Sequence, residues 1–112
     1  MAGTNTNLFS IRVHHGGKLE VTHERAYVGS LVAVYHYCNL ERWSLCSLDK
    51  IAEELGYEEH SIRYYYLLPG QRMQDGLFYM FSEEDATELA RSGEWKKMVD
   101  VFCTRIQHFN TF

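Results

Sequence analysis

Met98-Val99-Asp100-Val101-Phe102-Cys103-Thr104-Arg105-Ile106 is a nearly continuous apolar run, broken by Asp100, Thr104 and Arg105. A strand with one wet face alternates apolar and polar residues, whereas a strand covered on both faces is apolar at both parities. Here Val99, Val101 and Cys103 stand at one parity, and Met98, Phe102 and Ile106 at the other. The run is therefore predicted to be a central strand, and the rest of the chain must supply neighbours on either side of it.

Working outward, Ser82-Glu83-Glu84-Asp85 opens a helix: the Ser82 hydroxyl can cap while Asp85 reaches back, a capping box. Ala86, Leu89 and Ala90 form the apolar face of that helix, and Gly93 is expected to end it. Leu77 to Phe81 reads as a strand entered through Asp75-Gly76. Ile62 to Leu68 reads as another, with Tyr64 and Tyr66 on one face and Arg63 and Tyr65 on the other. Pro69, the sole proline, marks a turn with Gly70. Leu48, Ile51, Ala52 and Leu55 have helical spacing, with Ser47 as the expected cap and Gly56 as the expected end.

At the other end of the chain, Phe9, Ile11 and Val13 alternate with Ser10, Arg12 and His14, the two-residue period of a half-buried strand. Gly16-Gly17 is expected to make a tight hairpin, with Leu19 and Val21 starting the return strand. Residues 27–37 favour strand, with Gly29-Ser30 as a kink or bulge.

The resulting order is strand, strand (a third included if 27–37 is one), helix, strand, strand, helix, strand. The connection rules allow an α+β roll in which the last strand lies in mid-sheet, parallel to the first. That is the β-grasp (ubiquitin-like) roll: a mixed four- to five-stranded sheet with two helices. The expected organisation is a loose arm at 1–7, one domain over 8–108 and a tail at 109–112.

The 112 residues suit one core. A net charge of −4 argues against a surface built for phosphate, which needs concentrated Lys and Arg. No apolar run approaches the about 18 residues of a membrane span, and residues 1–7 have neither the apolar stretch nor the basic residues of a leader. Three scattered cysteines make no disulfide framework and suggest a reducing, intracellular setting, cytoplasmic or nuclear. His36 and Cys38 lie two apart with Cys46 further on, without the paired spacing of a structural zinc site, so neither metal nor cofactor is expected. No nucleophile motif accompanies the cysteines, and no catalysis is expected.

Phe9-Ser10-Ile11-Arg12-Val13-His14-His15-Gly16-Gly17-Lys18, then Tyr27-Val28-Gly29, Leu55-Gly56-Tyr57, Tyr65-Tyr66 with Pro69-Gly70, and Gly76-Leu77 together resemble the PB-one-like domain of plants. This Phox/Bem-type, ubiquitin-like domain stands at the N-terminus of Mutator-like transposase-derived proteins. The resemblance covers residues 8 to 108. It implies a β-grasp fold and a role in protein association, with a second copy of the chain among the partners, and no catalysis of its own. In animal and fungal relatives a basic face joins an acidic loop-helix front to back. By position, the basic candidates are Arg12 and Lys18, and the acidic candidates are Asp75, Glu83, Glu84 and Asp85. The chain departs from that pattern: apolar Leu77-Phe78-Tyr79-Met80-Phe81 precedes the helix in place of a dense Asp series, and Arg12 and His14 stand where lysine is expected.

Each candidate has a plainer reading. Carboxylates in a first helical turn stabilise the helix dipole by about 0.3–1 kcal/mol each, and Lys18 can simply be a solvated turn residue. Surface ion pairs contribute under about 1 kcal/mol, so an interface here needs an apolar centre. Tyr64, Tyr66, Met98 and Phe102 are the apolar candidates. The sheet face away from the helix is covered either by the arm or residues 27–37, or by a partner. The alternative function is a nucleic-acid-binding accessory domain, with Tyr64-Tyr65-Tyr66 stacking bases beside Arg63.

Overall fold

The computed structural model describes residues 8–21 and 24–106. In chain order the elements are β1 (Leu8–His15), β2 (Lys18–Val21), β3 (Arg25–Val28), β4 (Leu31–Asn39), a 3₁₀ turn (Leu40–Arg42), α1 (Leu45–Glu54), β5 (Ile62–Leu67), the single turn α2 (Met73–Gly76), β6 (Leu77–Met80), α3 (Glu83–Lys96) and β7 (Met98–Arg105). The five-stranded sheet has the order β4-β1-β7-β5-β6. The apolar run is thus the central strand, parallel to β1 (Val13 beside Val101) and antiparallel to β5 (Tyr66 beside Val101). This is the expected α+β roll of the β-grasp type.

The core lies between the sheet and the helices. Phe9, Ile11 and Val13 of β1, Val99, Val101 and Cys103 of β7, and Tyr64 and Tyr66 of β5 meet Leu48 and Ala52 of α1 and Ala86, Leu89 and Ala90 of α3. The helices contribute alanine where they cross the sheet, which lets their backbones come close. Gly93 is the extreme case: a Cβ there would sit 2.5 Å from Cδ2 of Phe9. It therefore does not end α3, as the residue type suggests. The helix runs on to Lys96 and stops at Lys97, which takes the left-handed conformation (φ 68°) and donates its N–H to the Gly93 carbonyl.

Three further expectations change. The strand after Gly16-Gly17 does not return along β1. β2 pairs only with β3, as a separate two-stranded ribbon, and the antiparallel neighbour of β1 is β4, with Leu31 opposite His15. The reason is contact with distant residues. The Tyr27 hydroxyl donates to the Cys103 carbonyl (2.6 Å) and accepts the Gly17 N–H (3.0 Å), which pins the ribbon over β7 instead of beside β1. Residues 16–21 and 24–30 thus lie outside the main sheet, entered through Gly16 (φ 78°) and left through Gly29 (φ 77°). Gly17 approaches the Val28 carbonyl so closely that a Cβ would lie 2.1 Å from it. Second, α1 starts earlier than expected: Ser44 is the cap residue, and the Ser47 hydroxyl accepts its N–H (3.1 Å). Third, the described residues form three helices, because Asp75-Gly76 belongs to the short turn α2. The arm at 1–7 and the tail at 109–112 lie outside the described residues.

Candidate protein-interaction surfaces

Of the two basic candidates, Lys18 belongs to the ribbon. Lys18 is exposed at the start of β2, on the rim of a groove of about 530 Å³ at the end of the sheet, walled also by Leu19, Tyr57, Ile62, Tyr65 and Arg105. The Arg105 guanidinium lies 5.4 Å above the Tyr57 ring, a cation–π arrangement that holds its charge at the groove mouth. Arg63, exposed, stands opposite Thr104 on the next strand. The arrival of Arg105 at this groove depends on the antiparallel register of β5 and β7, which sets it opposite Ile62; Arg63 is not among the groove's walls. Arg12 is elsewhere, on the sheet face away from the helices. Its Nε lies 3.5 Å from Asp100 Oδ1, and His14 Nε2 shares that oxygen at 2.8 Å. The Arg12 charge is largely spent within the sheet.

The four acidic candidates are in four different situations. Asp75 is paired with Arg72 (Nη2–Oδ2 3.0 Å) at the start of β6, the full length of that strand away from the others. Asp85 is a capping residue. Its Oδ2 accepts the N–H groups of Phe81 and Ser82, both at 3.1 Å, while the Ser82 hydroxyl accepts the Asp85 N–H. Glu83 accepts the Leu45 N–H (3.0 Å), tying the start of α3 to the start of α1. Glu84 is exposed and has no hydrogen bond or ion pair among the described residues. Of the four, it is the carboxylate free to meet a partner's cation.

The apolar candidates are largely corrected by burial. Tyr64 (7% exposed) and Tyr66 (5%) lie on the helix side of the sheet, in the core. Burial, and then the hydrogen bond to Asp49 (2.7 Å), raises the pKa of Tyr64. Phe102 does face the other side, but it is buried between His14, stacked at 4.4 Å between ring centroids, and Tyr27, at 5.3 Å. The ribbon thus supplies the cover expected from residues 27–37. Met98 is half-buried.

The exposed aromatics are different ones. Tyr79 and Phe81 continue a ladder from half-buried Tyr65 on the face away from the helices, with centroid spacings of 5.4 and 5.6 Å, and Phe81 is 72% exposed. Residues 77–81 are apolar at every position, so the sequence carries no alternation that would assign Tyr79 and Phe81 to the uncovered face.

Among the described residues, no three His, Cys, Asp or Glu side chains come together as a metal site requires. Cys38, Cys46 and Cys103 are all free. Burial pushes the Cys103 thiol up to about 12 and raises Cys38 as well, the opposite of what a nucleophile needs. Among the described residues, no helix is long and apolar enough to cross a membrane.

The comparison with known families bears on this arrangement. The PB1-like domain model matches residues 5–105. Searches of curated proteins and of solved structures find no match. The family match runs from ahead of β1 to the last residue of β7, taking in the mixed sheet and both long helices, and on that ground the chain belongs to the PB1-like domain family.

Proposed function

We propose that this domain is a non-catalytic interaction module that joins another domain of its own kind, a second copy included, front to back. Membership of the PB1-like family suggests protein interaction in general. The observation that supports the specific mode is the separation of charge on one molecule. Lys18 and Arg105 line the groove beside the ribbon, and Glu84 projects from the first turn of α3. The Tyr65–Tyr79–Phe81 ladder, on the groove side of the sheet, supplies the apolar contact that exposed ion pairs lack.

Charge exchange tests this reading. Lys18→Glu and Glu84→Lys each weaken self-association in sedimentation, and an equimolar mixture of the two restores a complex. Glu84 is preferred to Glu83 because the latter also holds α1. Failure of the mixture to associate more than either variant alone refutes the reading.

The plant and transposase-derived setting, with work inside the cell in the cytoplasm or nucleus, belongs to the same proposal. It is supported by the His14-His15-Gly16-Gly17 and Tyr27-Val28-Gly29 resemblance and by three free cysteines. A second reading, binding of single-stranded nucleic acid, is favoured by Arg63 and Arg105 near Tyr65, and opposed by the net charge of −4. Salt-sensitive capture of a fluorescent oligonucleotide, lost in Arg63→Glu, would replace the first reading with it.

A further inference from the structure

We propose that the outer edge of β4 is a dimerisation surface, on which a second copy of this chain pairs antiparallel through residues 31–35 to make one continuous sheet. This goes beyond the front-to-back reading and does not rest on it.

An edge strand presents unpaired backbone donors and acceptors, and natural proteins blunt such edges with charge, proline, bulges or short length. The two edges of this sheet are treated differently. β6 is four residues long and its backbone is tied at both ends: Arg25 donates to the Leu77 carbonyl (3.2 Å), and the Phe81 N–H is taken by Asp85. β4 is nine residues, LVAVYHYCN, with no Lys, Arg, Asp, Glu or Pro in a chain that is 23% charged. No strand among the described residues pairs with its outer side. Leu31, Val32 and Val34 are 63, 52 and 45% exposed.

The bulge in β4 limits where a partner can dock. The register with β1 shifts between Phe9 and Ile11, and Tyr37 takes φ 62°, so the strand bends beyond Tyr35. The regular edge is therefore residues 31–35, and its centre is Ala33. A twofold axis through Ala33 makes this stretch self-complementary. Ala33 meets Ala33, Val32 meets Val34, and Leu31 meets Tyr35, each pair on one face, with no like charges opposed. With β6 guarded, the pairing closes at two copies. The contact falls at the small end of specific interfaces, under about 1,200 Å², so the dimer is transient.

Solution mass is measured by sedimentation from micromolar concentrations to about 1 mM, the weak end of measurable association. K18E, in which the front-to-back contact is broken, is expected to move from monomer toward dimer and no further. Adding V32K/V34K to K18E, which sets lysines against each other across the twofold, is expected to leave a monomer with an unchanged melting temperature. A33C in a C46S background is expected to give a covalent dimer on oxidation, because opposed Cα atoms at about 4.5–5.5 Å lie within disulfide reach.

A K18E variant that stays monomeric throughout overturns the proposal, as does a K18E dimer that survives V32K/V34K or the absence of the A33C cross-link. A chain starting at Leu8 that dimerises where the full chain does not assigns the edge to residues 1–7, and also overturns it. Association lost in K18E but kept in V32K/V34K refutes edge pairing and supports the front-to-back reading. The converse supports edge pairing and refutes the other.

Discussion

Replacing Gly93 by alanine should destabilise this domain even though alanine is the better helix former. In an open helix the exchange gains about 1 kcal/mol. Here the new Cβ would lie 2.5 Å from Cδ2 and 2.8 Å from Cγ of Phe9, against an optimal carbon–carbon separation of about 3.5–4.0 Å. The ring has to retreat by about 1 Å. It has little room to do so, being 2% exposed and packed edge-on against Trp43 at 5.3 Å. Overpacking of this kind costs about 1–3 kcal/mol, which leaves a net loss near 1 kcal/mol, or about 4 °C in Tm for a domain of this size. Phe9→Ala removes the Cγ and Cδ2 atoms that obstruct the new methyl group, leaving only the Cβ at 3.2 Å. In that background Gly93→Ala is expected to stabilise, because only the helix gain remains. Urea or thermal unfolding of the four proteins in the cycle gives the answer. If Gly93→Ala stabilises wild type and Phe9→Ala equally, α3 does not approach β1 as closely as described, and the reasoning fails.

Tyr27→Phe removes the hydroxyl that links Gly17 to Cys103 and leaves a shielded carbonyl without its donor. A loss of about 1–2 kcal/mol is expected in chemical unfolding, with faster hydrogen exchange in β2 and β3. Phe81→Ala, at 72% exposure, should change stability by under about 0.5 kcal/mol, whereas Tyr64→Ala should cost about 3–5 kcal/mol. Equal effects in thermal melts would contradict the assignment of faces. Cys103 has its thiol pKa raised from 9.0 to about 12 by burial, so the fold favours the protonated form. The resulting stability is fully present below about pH 9 and is lost as pH climbs toward 12, by up to about 4 kcal/mol. Cys103→Ala, less stable at neutral pH, should show a shallower alkaline decline in urea midpoint. At pH 8 a thiol reagent should modify exposed Cys46 well before Cys103.

The parts of this fold that the sequence makes legible are those whose signals are local. The apolar run at 98–106 announces a central strand by being apolar at both parities, and Ser82 and Asp85 announce a helix start by their spacing. The ribbon is illegible for the opposite reason. Gly16-Gly17 flanked by alternating apolar residues has the chemistry of a tight hairpin, and what diverts the chain is a hydroxyl contact between Tyr27 and a carbonyl 76 residues away. The tyrosines of β5 show the same limit: Tyr64 and Tyr65 are chemically alike, and only the placement of the helices makes one core and the other surface. The acidic group was visible as a group. Its division into a cap (Asp85), a clamp between helices (Glu83) and a free carboxylate (Glu84) depends on partners distant in sequence.

The central position of β7 has a consequence for the chain during its synthesis. Until residues 98–105 leave the ribosome, β1 with β4 and β5 with β6 are two antiparallel half-sheets, with the inner edges of β1 and β5 unpaired. The apolar faces of α1 and α3 then have only part of the surface they pack on. The closing step is a parallel pairing of the first strand with the last, the slow, long-range kind of contact. A nascent chain stalled before Met98 should therefore expose two sticky edges at once and depend on chaperones, whereas one stalled well past Arg105 should not. Chaperone cross-linking to stalled chains of the two lengths would measure that difference.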